Sequence, residues 1–323
     1  MESIRDVLRS MPNGDLLARA EQKFAQLLAQ PVVKDWLAEQ SQKGLTVDEQ
    51  MLKPHMNKLY QLVRDRSNCA NCPGLQKCPN DYAGHYTQLE MNETDGAVDV
   101  SERKLACDKQ TAQVQEQKLS ARIRSFHIAE RALNEGYSAG DILALDMERA
   151  KAVQQLMRYI LQTKEHGLQA RGLYVYGPFG TGKTFLLCYM LHELAKSGYS
   201  GAIVYMPDFV EDVKSMIQEP QRLKETVELL KSTDLLVFDD LGAENLSPWV
   251  RDHVFGAILN ERMGRKPTFF TSNFELDSLL SHFSFTNREG DEEHKGQRLM
   301  ERIKPFVDTV YVGGSNKRNS RVL

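Results

Sequence analysis

Apolar residues recur at intervals of three and four along the first 67 residues of the chain. This spacing gathers them on one face of a helix, so it predicts that the segment is helical throughout. The positions that carry the pattern are Leu16, Leu17, Ala20, Phe24, Leu27 and Leu28, followed by Leu52, Met56, Leu59, Tyr60 and Val63. We therefore expect a mainly helical N-terminal domain.

The pattern weakens after residue 100. Residues 101–124 are polar and charged with a faint helical period, which suits an exposed helix or a tether. We place a domain boundary near residue 125, which gives domains over 1–125 and 126–323.

From Gly172 onward, short runs rich in Val, Ile, Tyr, Phe and Leu alternate with helical stretches. Strands separated by helices are typical of βαβ units and a mostly parallel sheet. The runs that predict strands are residues 173–176, 202–206, 235–239, 268–272 and 307–312. The C-terminal domain is thus predicted to be an α/β fold built on a five-stranded, mostly parallel sheet.

The composition is that of an ordinary globular protein and does not indicate a binding partner. The chain has 323 residues, 41% of them hydrophobic and 26% charged, which is enough for two globular domains. Its net charge of −3 gives no general attraction to nucleic acid, so any DNA contact needs a local patch. No run of about 18 apolar residues is present and the N-terminus lacks the layout of a secretion signal, so we expect a cytoplasmic protein.

A phosphate-binding motif follows the first predicted strand of the C-terminal domain. The segment Gly177-Pro-Phe-Gly-Thr-Gly-Lys-Thr184 matches G-x-x-x-x-G-K-[ST] and precedes a predicted helix. In such a loop the backbone N–H groups face the β-phosphate, Lys183 supplies a cation, and the Thr184 hydroxyl can ligate Mg²⁺. The predicted nucleotide-binding residues are Gly177, Pro178, Phe179, Gly180, Thr181, Gly182, Lys183, Thr184 and Phe185.

Polar residues end two later strands. Asp239 and Asp240 close the apolar run 235–239; Asp239 can hold Mg²⁺ directly or through water, and Asp240 can orient or deprotonate the attacking water. Asn273 closes the next strand, where it can hydrogen-bond the γ-phosphate or the lytic water. An Asn after a strand is commonly a turn residue, which is the plainer interpretation.

Three late arginines are candidates for contact with phosphate. Arg298 and Arg302 lie four apart, which predicts one helical face. Either can act as an arginine finger on a neighbouring subunit's nucleotide, or the two can form a solvated pair with partners such as Glu301. Arg318 is either a γ-phosphate sensor or part of a polar tail.

Four of the five cysteines lie in the first third of the chain, at Cys69, Cys72, Cys78 and Cys107. In a reducing cytosol this clustering favours a metal over disulfides. Zn²⁺ suits four soft ligands, and a site filled by protein ligands would be structural. His85 can substitute for Cys78 or Cys107, and free buried thiols are the alternative.

Taken together, these motifs resemble the AAA+ ATPases and, within them, the bacterial helicase loaders. The resemblance covers residues from about 135 to 323 and extends weakly to the cysteine segment. It is carried by the segments GLYVYGPFGTGKT, DDLGAE, WVRDHVFG, FFTSNF and RLMERI. It implies an ATPase that delivers the hexameric replicative DNA helicase onto single-stranded DNA during initiation or restart of replication.

The resemblance also implies roles for individual residues. Asn273 would be the first sensor, Arg302 the finger with Arg298 beside it, and Arg318 the second sensor. The zinc-stabilised N-terminal domain would bind the helicase, and the loader would form a homo-oligomer on the helicase ring. Ser247 and Trp249 would face DNA, where an indole can stack on a base, although a Trp at a helix start is most often a core residue.

Two other functions fit parts of the sequence. The helper ATPase of a transposase has similar core motifs, but the cysteine-bearing N-terminal domain counts against it. A P-loop phosphotransferase would use the same loop, but the Asp-Asp strand end and the lack of an obvious acceptor-pocket signature count against that.

Overall fold

The computed structural model describes residues 13–45, 48–94, 97–128, 147–286 and 290–316. The chain divides into two compact units, Met1–Glu116 and Gln117–Leu323. The boundary that the sequence predicts near residue 125 lies on the C-terminal side of this division. Among the described residues, no helix combines the length and the apolar character needed to cross a bilayer.

The first described elements of the N-terminal unit are helices whose apolar residues contribute to its core. Their bounds are α1 Asn13–Leu28, α2 Pro31–Gln42, α3 Glu49–Leu52 and α4 Met56–Ala70, with 3-10 turns at Lys53–His55 and Leu75–Lys77. Buried residues of the core include Phe24, Val33, Trp36, Leu52, Leu59 and Leu62. Period-based prediction works here because each helix buries one stripe of side chains.

A β-hairpin completes the N-terminal unit, and the sequence analysis missed it. Strands β1 His85–Thr94 and β2 Ala97–Ala106 pair antiparallel along their length, and helix α5 Asp108–Arg122 follows. The predicted helix or tether over 101–124 is therefore wrong at its start, where the chain is still in β2. The second half of β2 is rich in charged residues, so it lacks the apolar run that would predict a strand.

A buried carboxylate joins the hairpin to α4. Asp65 is 1% exposed, and its Oδ2 accepts hydrogen bonds from the Thr87 N–H at 3.0 Å and the Thr87 hydroxyl at 2.7 Å. Lys104 of β2 lies 3.1 Å from the same oxygen. Because a buried charge is tolerated only when it is paired and hydrogen-bonded, this group fixes the hairpin against the helix.

The C-terminal unit contains a six-stranded sheet in the order β10-β4-β7-β6-β5-β3. The strands are β3 Ile123–Phe126, β4 Gly172–Tyr176, β5 Gly201–Tyr205, β6 Leu235–Asp239, β7 Thr268–Ser272 and β10 Val307–Tyr311, and all neighbours are parallel. The predicted count of five strands is wrong because β3 adds an edge strand beside β5. Its two central residues, Arg124 and Ser125, are polar, so the sequence shows no continuous apolar run there.

Helices cover both faces of this sheet. They are α6 Ala150–His166, α7 Lys183–Lys196, α8 Met206–Met216, α9 Pro220–Ser232, α10 Gly256–Arg262, α11 Leu279–Ser284 and α12 Glu293–Met300. A π-helical segment, Val250–Phe255, precedes α10, and a short pair of strands, β8 Phe285–Thr286 and β9 Gly290–Asp291, precedes α12. Side chains of β4 alternate between two cores, with Tyr174 in one and Leu173 and Val175 in the other.

Candidate active site

The glycine-rich loop lies between β4 and α7, at the carboxyl edge of the sheet. Gly177, Gly180 and Gly182 have positive φ values of 149°, 74° and 89°, a region that favours glycine. A Cβ at Gly177 would also lie 2.2 Å from the carbonyl oxygen of Val312, so that position has no room for a side chain. The loop therefore has the curled backbone that a phosphate cradle requires.

The ammonium of Lys183 lies inside this loop. Its Nζ donates to the carbonyls of Gly177 at 2.9 Å and Pro178 at 2.8 Å, and to Oδ1 of Asn273 at 2.8 Å. Lys183 is 7% exposed, so its charge is held within the loop and little of it is screened by water. A phosphate oxygen placed there would meet this cation together with the N-terminal end of α7.

Asp239, the last residue of β6, is connected to the loop through Thr184. Its Oδ1 accepts from the Thr184 hydroxyl at 2.7 Å and from the Thr271 hydroxyl at 2.6 Å. Burial raises the pKa of this carboxyl and the neighbouring Asp240 raises it further, while the two hydroxyl donors and Lys183 lower it. A hydroxyl and a carboxylate side by side supply the oxygen ligands that Mg²⁺ prefers, so these residues fit that ion.

Asp240 and Asn273 extend the same hydrogen-bonded group. The Asn273 amide donates from Nδ2 to Asp240 Oδ1 at 2.9 Å, while its own Oδ1 accepts from Lys183. Asp240 has a φ of 58°, which is uncommon for a residue with a side chain. Its N–H donates to the Thr271 hydroxyl at 2.8 Å, which holds it in that conformation. The structure thus brings together the residues that the sequence predicts at the ends of three strands.

Sequence reasoning assigned no role to several residues around this group. Thr271 bonds both aspartates, and a polar residue inside an apolar strand was the available signal. Arg149, which is 3% exposed, has a guanidinium nitrogen 2.4 Å from where a Cβ on Gly182 would lie. Glu244 is buried in the turn after β6. No motif marks Arg149, because it precedes the loop by 28 residues in a stretch with no pattern of its own.

The late arginines are arranged differently from the prediction. Arg298 is exposed on α12, but α12 ends at Met300, so Arg302 lies in the turn beyond it and the shared helical face is wrong. Arg302 turns inward and donates to the Gly256 carbonyl at 3.2 Å. Its pKa is lowered by partial burial and by the charge of Arg298. Arg318 lies outside the described residues.

Trp249 stands at the rim of a groove in the C-terminal unit. Its side chain is 37% exposed, so it is not the core residue of the plainer interpretation. Ser247 caps the N-terminal end of the helical segment that contains Val250–Phe255, since its hydroxyl accepts from the Val250 N–H at 3.3 Å. The groove has a volume of about 750 Å³, and its lining includes Lys214, Ile217, Ser247, Trp249, His253 and Lys295.

The four N-terminal cysteines are free thiols. Three of their sulfurs receive N–H donors: Cys69 from Asn80 at 3.5 Å, Cys78 from the Gly84 backbone at 3.4 Å, and Cys72 from Lys109 at 3.4 Å. In the part of the chain that the structure describes, no three His, Cys, Asp or Glu side chains are grouped as a metal site. Hydrogen bonds from Gly74 and Lys109 lower the pKa of the Cys72 thiol, which favours its thiolate. The His85 ring lies 3.0 Å from the Ala83 carbonyl through Nδ1.

A curled loop facing an Asp-Asp strand end on a parallel sheet is the arrangement of a P-loop ATP-binding protein. Comparison with known proteins agrees with this class. The family described as IstB-like ATP binding protein matches residues 102–319, and the family described as Primosomal protein DnaI N-terminus matches residues 1–101.

Individual relatives define the family more narrowly. The Replicative helicase loader DnaI of Bacillus subtilis (strain 168) is 34% identical over 306 residues, covering 94% of this chain and 95% of that protein. A crystal structure described as that of the DnaI is 35% identical, with a TM-score of 0.51, and covers 63% of this chain and 99% of that chain. An insertion sequence IS21-like putative ATP-binding protein of Bacteroides fragilis is 22% identical over 74% of this chain and 88% of its own length. The chain belongs to the DnaI family of replicative helicase loaders.

Proposed function

We propose that this protein is an ATP-dependent loader, which delivers the hexameric replicative DNA helicase onto single-stranded DNA during initiation or restart of replication. The observation that carries the proposal is that one relative, a replicative helicase loader, accounts for both units at once, over 94% of the chain. The transposase-helper alternative is supported by the IstB-like family match to residues 102–319 and by insertion-sequence relatives of lower identity, and the DnaI-type N-terminal segment counts against it. A metabolic phosphotransferase has no support from these relatives.

ATP hydrolysis is the reaction that the site geometry supports. The loop 177–185 would surround the phosphates, and Mg²⁺ held by Thr184 and Asp239 would neutralise their developing charge. Asp240 would orient or deprotonate the attacking water, and Asn273 would report on the γ-phosphate because it bonds both Lys183 and Asp240. Arg318 is proposed as a further contact to the γ-phosphate, and this proposal rests on the sequence alone.

Contact with single-stranded DNA is proposed for the groove beside Trp249. An exposed indole can stack on any base, and two lysines, Lys214 and Lys295, line the same groove. Both lysines also pair with carboxylates, Glu211 and Glu292, each at 2.6 Å, so the positive field is modest. Stacking is therefore expected to supply much of the contact, with little dependence on sequence.

Substitution of Trp249 tests the loader function and the groove together. The assay is ATP-dependent loading of the replicative helicase of the same organism onto a closed circle of single-stranded DNA. Wild type should load the helicase, and W249A should weaken DNA binding about tenfold, the effect of losing one stacked base, with ATP turnover retained. L161A removes another exposed apolar side chain and is the control. No loading by wild type would refute the function, and normal DNA binding by W249A would refute the groove.

The loader is proposed to act as a homo-oligomer on the helicase ring, in which Arg302, with Arg298 beside it, reaches a neighbouring subunit's nucleotide. Arg302 is partly buried near Gly256 and lies beside the like-charged Arg298, so an anionic partner would stabilise its charge. Mixing R302A subunits with K183A subunits should restore part of the ATP turnover that each lacks alone. Absence of any rescue would argue for a role within one subunit.

The N-terminal unit is proposed to bind the helicase and to hold one structural zinc ion through Cys69, Cys72, Cys78 and Cys107, with His85 as a substitute ligand. The support is the set of N–H donors to three sulfurs and the spacing of the cysteines. Metal analysis of the full chain should give about one zinc per molecule, lost in C69S/C72S. A metal-free wild type purified without chelators would remove zinc from the proposal.

A further inference from the structure

Glu244 is a fully buried carboxylate in the turn that follows β6. Its side chain is 0% exposed, yet the nucleotide-binding roles described above make no use of it. A buried carboxylate without partners is strongly disfavoured, so the groups that bond Glu244 define what it does.

Two groups satisfy Glu244, one from each side. Oε2 accepts from the backbone N–H of Gly242 at 2.7 Å, and Oε1 lies 2.9 Å from Nε2 of His282 on α11. The first contact closes the turn on itself, and the second fixes the turn against a helix. The carboxylate is thus a brace between the backbone of the turn and α11.

The same turn begins with Asp240. The Ala243 N–H donates to the Asp240 carbonyl at 3.2 Å, and the Leu241 N–H donates to the Thr271 carbonyl at 2.8 Å. Gly242 has a φ of 96°, and a Cβ there would lie 2.9 Å from both Leu279 and Phe274. The turn is therefore closely packed, and Asp240, its first residue, has an uncommon positive φ.

We propose that Glu244, held by His282, is a positioning residue for Asp240. Without the carboxylate, the Gly242 N–H loses its acceptor, the turn relaxes, and the Asp240 carboxylate leaves the position where Asn273 meets it. The loop 177–185 and Lys183 are not attached to Glu244, so the phosphates would still bind. The inference rests on the proposed ATPase function, because it assigns Glu244 to the step in which Asp240 acts on water.

The test separates turnover from binding. E244A is expected to lower kcat for ATP hydrolysis by about 10- to 100-fold, since a displacement near 1 Å has an effect of that order, and to leave the Kd for Mg-ATP within about threefold of wild type. E244Q keeps the volume and an oxygen acceptor, so it should restore most of kcat. H282A should lower kcat, and the E244A/H282A double variant should lose little more than E244A alone.

Asp234 offers a matched control at the opposite end of β6. Its Oδ2 accepts from the Ser200 N–H at 2.9 Å and the Ser200 hydroxyl at 2.7 Å, so D234A also removes a carboxylate that braces a turn. D234A should lower the Tm while kcat per folded molecule stays at the wild-type value. The comparison separates positioning from a general loss of stability.

Several results would overturn the inference. The first is a kcat of E244A equal to that of wild type, and the second is an E244A defect that lies in the Kd for Mg-ATP. The third is a fall in the kcat of E244A that is explained by a lower Tm, as in D234A. The fourth is an E244Q variant whose kcat is as low as that of E244A. If the wild-type protein hydrolyses no ATP, the proposed function fails. If wild type hydrolyses ATP and E244A does so equally fast, only the inference about Glu244 fails, so one experiment distinguishes the two failures.

Discussion

Alanine at position 183 is expected to reduce ATP turnover by at least about 100-fold, the effect of removing a preorganised charge from a phosphoryl-transfer site. The Lys183 ammonium is almost fully buried within the glycine-rich loop and donates to two of its carbonyls, so its charge is fixed where the phosphates would lie. The measurement is phosphate release by K183A at saturating Mg-ATP. Helicase binding through residues 1–125 should be retained, because the proposed division of labour assigns it to the other unit.

Lys196 provides the control for this substitution. It lies on the same helix as Lys183, is 48% exposed, and pairs with Glu193 at 2.6 Å. K196A removes the same charge at the far end of α7, so turnover should stay near the wild-type rate. Turnover by K183A close to wild type would show that the loop does not bind the transferred phosphate. Loss of helicase binding together with turnover would contradict the separation of the two units.

Replacing Asp239 with asparagine is expected to stabilise the protein and inactivate it at once. Burial raises the pKa of the Asp239 carboxyl, so the folded state disfavours its charge. Asn keeps an oxygen that can accept from Thr184 and Thr271, but it carries no charge to hold Mg²⁺. D239N should therefore raise the Tm measured without nucleotide by about 2–4 °C and lower kcat by about 100-fold or more.

The pH dependence of this substitution has a defined sign. A carboxyl with a raised folded-state pKa contributes stability below its unfolded pKa of about 3.9 and loses it as the pH rises through the folded value. The Tm advantage of D239N should thus be absent in acid, grow as the pH rises, and level off above the raised pKa. In Mg-ATP the order should reverse, because wild type keeps the charged Mg²⁺ ligand and gains more ligand stabilisation than D239N. A D239N protein less stable than wild type at neutral pH without nucleotide would contradict the burial argument.

The parts of the fold that sequence pattern predicted are those with a single buried stripe or a continuous apolar run. The strands β6 and β7 are buried along their length and β4 is buried up to its last residue, so the runs that predicted them are unbroken. The hairpin β1–β2 and the edge strand β3 expose polar side chains, and their sequences carry the mixed pattern of a surface helix. Their existence depends on pairing with a partner strand, which local pattern does not encode.

The candidate site shows the same division. Lys183, Asp239 and Asn273 could be predicted because each stands beside a recognisable element end, and the parallel sheet brings those ends together. Thr271 and Glu244 could not be assigned roles in advance, since their importance lies in contacts that exist only after folding. The shared helical face of Arg298 and Arg302 was predicted from their spacing alone, but α12 ends at Met300, two residues before Arg302.

The bond from Lys183 to Asn273 connects residues 90 positions apart, and the bond from Thr184 to Asp239 spans 55. A nucleotide that engages these side chains would add its own contacts to segments that the sheet and these two bonds already join. Its binding energy would then be distributed over the three central strands instead of one surface loop. Amide hydrogens of β4, β6 and β7, far from any phosphate, should accordingly exchange more slowly when ATP is added.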